Sequence, residues 1–176
     1  LDHPEAYDII KKISDEDKEK HYRKLNEFLN LISNYYKKEI TICLHPKDNL
    51  EYKKKIFRSF KVTQYDTVKN IYEAFIVLFF DTSAIVDAIL LKKRIMFINS
   101  KYIPNTWLEL GRSFAKKSNI LSFDIEESVQ DTIPFLDERL KKQTLEYQDY
   151  IENFIHIDGD RSGLDAIIST LKKKFF

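Results

Sequence analysis

Six consecutive apolar residues, Phe75 to Phe80 (FIVLFF), constrain the fold of this chain more than any other feature. A half-exposed antiparallel strand alternates apolar and polar residues, whereas a run apolar at every position suits a strand covered on both faces, as in a parallel sheet. Its surroundings repeat the pattern. Short β-branched or apolar stretches at 39–44, 60–63, 75–80, 94–99 and 119–123 alternate with helical periodicity at 49–58, 67–74, 83–93 and 105–117. A long amphipathic helix precedes them, opened by Ser14-Asp15-Glu16-Asp17 and carrying Tyr22, Leu25, Leu29, Ile32 and Tyr36 at helical spacing. Helices over 134–152 and 162–174 follow. The order predicts a three-layer, Rossmann-like α/β domain of about five mostly parallel strands, with Phe75 to Phe80 central and helices on both faces. It reads as one domain over 1–176, with 1–14 an extension or linker and 153–176 a C-terminal turn and helix. Leu1-Asp2-His3-Pro4 reads as chain already in progress.

Composition excludes several classes. With 176 residues, 43% of them hydrophobic, one core can bury roughly 70% of the unfolded surface without staples. Twenty-nine Lys+Arg against 28 Asp+Glu give a net charge of +1, which provides no field for nucleic acid or anionic lipid. No nucleic-acid partner is therefore expected. Cys43 has no partner within the chain, and histidines at 3, 21, 45 and 156 make no zinc-like spacing, so neither a disulfide framework nor a metal is expected. The longest apolar run is far short of the roughly 18–20 residues that span a bilayer. Three glycines, at 111, 159 and 163, cannot write GxGxxG or a P-loop. No cofactor is expected.

In an open parallel sheet, ligands bind beyond the carboxyl ends of the strands. His45-Pro46-Lys47-Asp48 follows the first strand, as either a phosphate-contacting imidazole and ammonium or a plain surface turn. Asp81-Thr82-Ser83 follows the third, where a hydroxyl can cap the next helix and backbone N–H groups can hold a phosphate. Asp158-Gly159-Asp160-Arg161-Ser162 forms a turn before the last helix. Asp124, Glu126 and Glu127 lie past the fifth strand and read as a solvated turn. Lys53-Lys54-Lys55 reads as a solvated helix face, and Cys43 as a small apolar strand residue.

Taken in order, TICLHPKDN, a helix opened by Thr67, FFDTSAIVDAILLKKRIMFI and IHIDGDRSGLDAI resemble the C-terminal nucleotide-binding half of GT-B glycosyltransferases of bacterial capsule and surface polysaccharide synthesis, sialyltransferase-like enzymes among them. The resemblance covers residues 17 to 175. It departs at Asp81, before the hydroxyl pair, and at Arg94, where proline is usual. It implies a donor-binding domain in which His45 and Pro46, Thr82 and Ser83, and Asp158 and Gly159 surround a nucleotide sugar. It implies no obligatory metal and assigns no catalytic residue. The catalytic base and the glycan acceptor site would lie on an N-terminal domain missing from these 176 residues, so the chain alone would be inactive. Placement is expected in the cytoplasm, or peripherally at the inner membrane through other regions or partners. Alternatives are a noncatalytic α/β binding or scaffold domain and half of a sugar-nucleotide epimerase.

Overall fold

A computed structural model describes residues 13–80, 82–126, 129–143 and 147. Among these described residues six helices alternate with five strands in the order α1 (Asp15–Tyr36), β1 (Thr41–Cys43), α2 (Leu50–Ile56), β2 (Lys61–Thr63), α3 (Thr67–Glu73), β3 (Ile76–Phe79), α4 (Ile85–Leu90), β4 (Arg94–Asn99), α5 (Asn105–Lys117), β5 (Leu121–Asp124) and α6 (Val129–Lys142). The expected α/β alternation holds. The helix expected over 134–152 begins earlier, at Val129, and runs through Pro134. The turn at 158–162 and the helix at 162–174 lie outside the described residues.

The single five-stranded sheet is not what the described residues form. Two parallel sheets stand in its place, β1-β2 and β3-β4-β5. β4 is the central strand of the larger one. β3, expected at the centre, is an edge strand paired only with β4, in the register Ile76↔Arg94 to Phe79↔Phe97. The apolar run nevertheless has a physical cause. Ile76 and Leu78 pack into a core built with α1 and α6, while Val77 packs on the opposite side into a core containing Phe79 and residues of α4 and α5. Both faces are covered by helices, and apolarity reports faces; it carries no information on whether the hydrogen-bonding edge has a neighbour.

Local signals set the elements. Ser14 caps α1 by accepting from the Asp17 N–H at 3.0 Å, and Asn49 caps α2 by accepting from Tyr52 N–H at 3.0 Å. α1 ends at Lys37 in the left-handed region (φ 52°), its N–H donating to Ser33 O. Its apolar face, Tyr22, Leu25, Phe28, Leu29 and Ile32, is buried, and Phe28 stacks on Phe123 of β5 with ring centroids 5.2 Å apart. Across the α1–α6 contact, Asp137 is buried, accepts from Tyr36 Oη at 2.9 Å, and pairs with Lys141 at 2.7 Å. The Lys141 ammonium, then the Tyr36 hydroxyl, hold the Asp137 carboxyl below its ordinary range against the opposing effect of burial.

Gly111 of α5 lies where a Cβ would stand 2.8 Å from the Phe80 carbonyl oxygen and closer still to Cε2 and Cζ of Phe97, a fully buried ring. The helix can approach the sheet only without that carbon. Gly111→Ala should therefore destabilise the chain by about 1–3 kcal/mol through overpacking, outweighing the ~1 kcal/mol that alanine gains in helix propensity. Chemical denaturation measures it. The Asp137 carboxyl, lowered in the folded state, contributes stability that is present above its unfolded value of about 3.9 and lost as pH falls through the folded value. Asp137→Asn should accordingly flatten the acid limb of a stability–pH curve below about pH 4.

Candidate functional site

β1 pairs only with β2, and β3 only with β4, so each has an edge without a strand partner among the described residues. Between these edges lies a cleft of about 810 Å³. Residues 40–44 form one wall and 75–80 the other, while His21, Leu25, Leu29 and Ile32 of α1 reach it from one face of the sheets. The turns that follow these strands also line it: His45 and Pro46 after β1, and Thr82 and Ser83 after β3. Four of the six residues expected to surround a ligand thus share one cleft. Asp158 and Gly159, like Asp81, lie outside the described residues.

The His45 turn is built rather than loose. Asp48 Oδ2 accepts from the His45 N–H at 2.9 Å, and the Asp48 N–H donates to the His45 carbonyl at 2.9 Å. The Gln64 amide, just past β2, donates to the carbonyls of His45, Pro46 and Asp48 at 3.2, 3.1 and 2.9 Å. The Lys47 N–H donates to His45 Nδ1 at 3.1 Å, which puts the proton of the neutral imidazole on Nε2. His45 is therefore oriented as an N–H donor, suited to an anionic oxygen.

The turn after β3 differs from expectation. The helix expected over 83–93 spans only Ile85–Leu90, and its N-cap is Ala84, with no side-chain capping bond. Thr82 Oγ1 instead accepts from the Ala84 N–H at 3.3 Å, forming a tight local turn. Six residues make too short a helix for its dipole to hold a phosphate by itself. Thr82 and Ser83 contribute hydroxyls at the cleft mouth. Asp87 also lines the cleft, and burial raises its carboxyl above the ordinary value.

Two groups escaped sequence reading. Lys53, expected on a solvated face, is buried at 3% exposure and lines the cleft, its ammonium donating to Tyr22 Oη at 2.6 Å and lying 4.8 Å from the Tyr22 ring centroid. α2 turns that lysine inward while Lys54 and Lys55 stay exposed. Second, His21 Nδ1 lies 3.1 Å from Ser100 Oγ, which donates to Glu126 Oε1 at 2.7 Å. Glu126, expected in a solvated turn, thus anchors a buried chain of hydrogen bonds drawn from α1 and from the ends of β4 and β5. Separations of 79 and 26 residues hide it from any local pattern. The one available signal was polar residues directly after two strand ends.

Cys43 lines the cleft, but burial pushes its thiol up, away from an activated thiolate. Among the described residues no group of three or more His, Cys, Asp or Glu side chains is placed to hold a metal ion, and no helix is long and apolar enough to cross a membrane. No family model, curated protein or solved structure matches the chain.

Gln64→Ala should loosen the 45–48 turn, the cleft-lining His45 and Pro46 included, costing about 1 kcal/mol of stability. Faster hydrogen exchange confined to residues 45–48 and their neighbours is the expected signature.

Proposed function

We propose that this cleft binds the nucleotide of a nucleotide sugar, and that the chain is the donor-binding domain of a glycosyltransferase of bacterial surface polysaccharide synthesis. The observation that carries the reading is that the His45-Pro46 turn after β1 and the Thr82-Ser83 turn after β3 line one cleft. In this reading the sheets are the Rossmann-like half of a GT-B enzyme. The acceptor glycan is brought by a second domain, and the enzyme works in the cytoplasm or against the inner membrane.

The chemistry follows from the groups present. In sugar transfer the nucleoside phosphate leaves with the electron pair of the C–O bond, so donors directed at it stabilise the growing negative charge. The Nε2–H of His45 and the hydroxyls of Thr82 and Ser83 supply such donors. The Asp87 carboxylate is suited to accept from ribose hydroxyls. The apolar walls of 40–44 and 75–80 exclude water, which strengthens each of these bonds.

Calorimetric titration with CMP, CDP and UDP tests the assignment. Millimolar or tighter binding of at least one is expected, weakened about tenfold or more by His45→Ala and by Ser83→Ala, each removing a hydrogen bond to a charged group. Absence of binding at millimolar nucleotide, or indifference to both substitutions, refutes it. The chain alone, given a donor and a glycan acceptor, should bind the donor without extending the glycan, because proximity to the acceptor and proton abstraction come from the facing domain.

A further inference from the structure

In a parallel ladder the backbone groups of successive residues turn to opposite sides of the strand, so the bonds that β1 and β3 make to their partners also fix what their other edges present. On β1, the Leu44 N–H donates to the Thr63 carbonyl at 2.8 Å and the Ile40 carbonyl accepts from the Lys61 N–H at 3.2 Å, which turns 40, 42 and 44 toward β2. Thr41 and Cys43 therefore direct their N–H and C=O groups into the cleft. On β4, the Ile95 backbone pairs with the Gln143 amide and the Asn99 carbonyl accepts from the Ile125 N–H at 3.0 Å, so 95, 97 and 99 turn to the β5 side and 94, 96 and 98 to β3. In the register Ile76↔Arg94 to Phe79↔Phe97 those residues bond to Val77 and Phe79, which leaves the N–H and C=O groups of Ile76 and Leu78 on the cleft side. Among the described residues, none of these backbone groups of Thr41, Cys43, Ile76 and Leu78 has a hydrogen-bond partner.

The cleft thus has two polar edges between apolar faces. Leu25, Leu29 and Ile32 of α1 close it on one face, and Ile71 of α3, which belongs to the opposite core, closes it on the other. Neither a charge nor a proline, the devices that commonly blunt an open strand edge, occurs within 40–44 or 75–80. Donors and acceptors recur along each edge at every second residue, about 6.4–6.8 Å apart. A phosphate or a sugar meets such a row at one place. An extended peptide meets it along its whole length, with its N–H and C=O groups turned alternately to the two edges and its side chains alternately to the two faces.

We propose that the slot between β1 and β3 takes up an extended, apolar peptide strand of a partner protein, which joins the two sheets into one. The walls at 40–44 and 75–80 match a segment of five or six residues, roughly 17–20 Å of extended chain. Its side chains are apolar at successive positions, because Leu25, Leu29 and Ile32 stand on one face and Ile71 on the other. The proposal is independent of the nucleotide reading, which uses the turns after the strands, and the side chains of His21, His45 and Lys53 take no part in it. Direct pairing of β1 with β3 would satisfy the same backbone groups without a partner, and amide exchange separates the two.

Hydrogen exchange of the full chain, read by nitrogen-15 NMR, is measured first without a ligand. The amides of Thr41, Cys43, Ile76 and Leu78 are expected to exchange about tenfold or more faster than the paired amides of Ile42, Val77 and Phe79. Equal protection means that the two edges have closed on each other, and overturns the proposal. The chain is then titrated with the soluble peptide Lys-Lys-Val-Ile-Val-Ile-Val-Lys-Lys. Its binding should slow exchange at the four cleft-facing amides about tenfold or more, and the same peptide N-methylated on alternate core residues, which loses its donors to one edge, should bind about tenfold or more weakly. No binding at millimolar peptide overturns the proposal, as does equal binding of the N-methylated peptide, which is apolar partitioning without strand pairing. A parallel titration with CMP keeps the two readings apart. A chain that binds CMP but not the peptide refutes strand insertion alone, and one that binds the peptide but no nucleotide refutes the nucleotide reading alone.

Discussion

β4 is the strand on which both cores depend. Met96 and Ile98 belong to the apolar body shared with α1 and α6, and Ile95 and Phe97 to the one shared with α3, α4 and α5. Each of these four side chains is at most 1% exposed, a degree of burial that contributes roughly 1.5–3 kcal/mol per residue. Both edges of β4 are used too, by β3 and by β5. Where β5 does not reach, a side chain continues the ladder. The Ile95 N–H donates to Gln143 Oε1 at 3.0 Å, and Gln143 Nε2 returns a bond to the Ile95 carbonyl at 3.1 Å. The amide of Gln143 serves as the peptide group that β5 lacks opposite Ile95, so no backbone group of this buried residue goes unpaired.

That saturation explains what could be read from the sequence. β4 at 94–99 and α5 at 105–117 coincide with their expected spans, because an apolar strand and a helical stripe facing one core are local patterns. The position of β3 was not legible. Val77 and Phe79 face one core and Ile76 and Leu78 the other, which makes the strand look interior although its second edge faces the cleft. Lys53 illustrates a second limit. It is the first of three consecutive lysines, and a partner on another element, the Tyr22 hydroxyl of α1, meets the one that turns inward. Strand-end positions carried more of the site than residue identity did: His45, Thr82, Ser83, Ser100 and Glu126 all follow strand ends, whereas His21, on α1, has no such mark.

Groups buried along the cleft are held at a cost that the apolar cores do not bear. An imidazole and an ammonium lose hydration when removed from water and regain stability only through specific partners. Tyr22 Oη supplies one such partner to Lys53, and the Ser100–Glu126 pair supplies one to His21. A well-packed apolar residue at either position would meet no such requirement. These polar side chains stand beside the incomplete pairing of β1 and β3, in the part of the molecule where apolar packing gives way.

The polarity of these groups narrows what the cleft can complement. The Lys47 N–H donates to His45 Nδ1, so a neutral His45 imidazole carries its proton on Nε2, while Nδ1 of His21 is engaged with Ser100 Oγ. In the proposed reading a nucleotide phosphate would accept from the His45 side of this cleft. The apolar walls then act on that contact, since excluding water strengthens a charge-assisted bond.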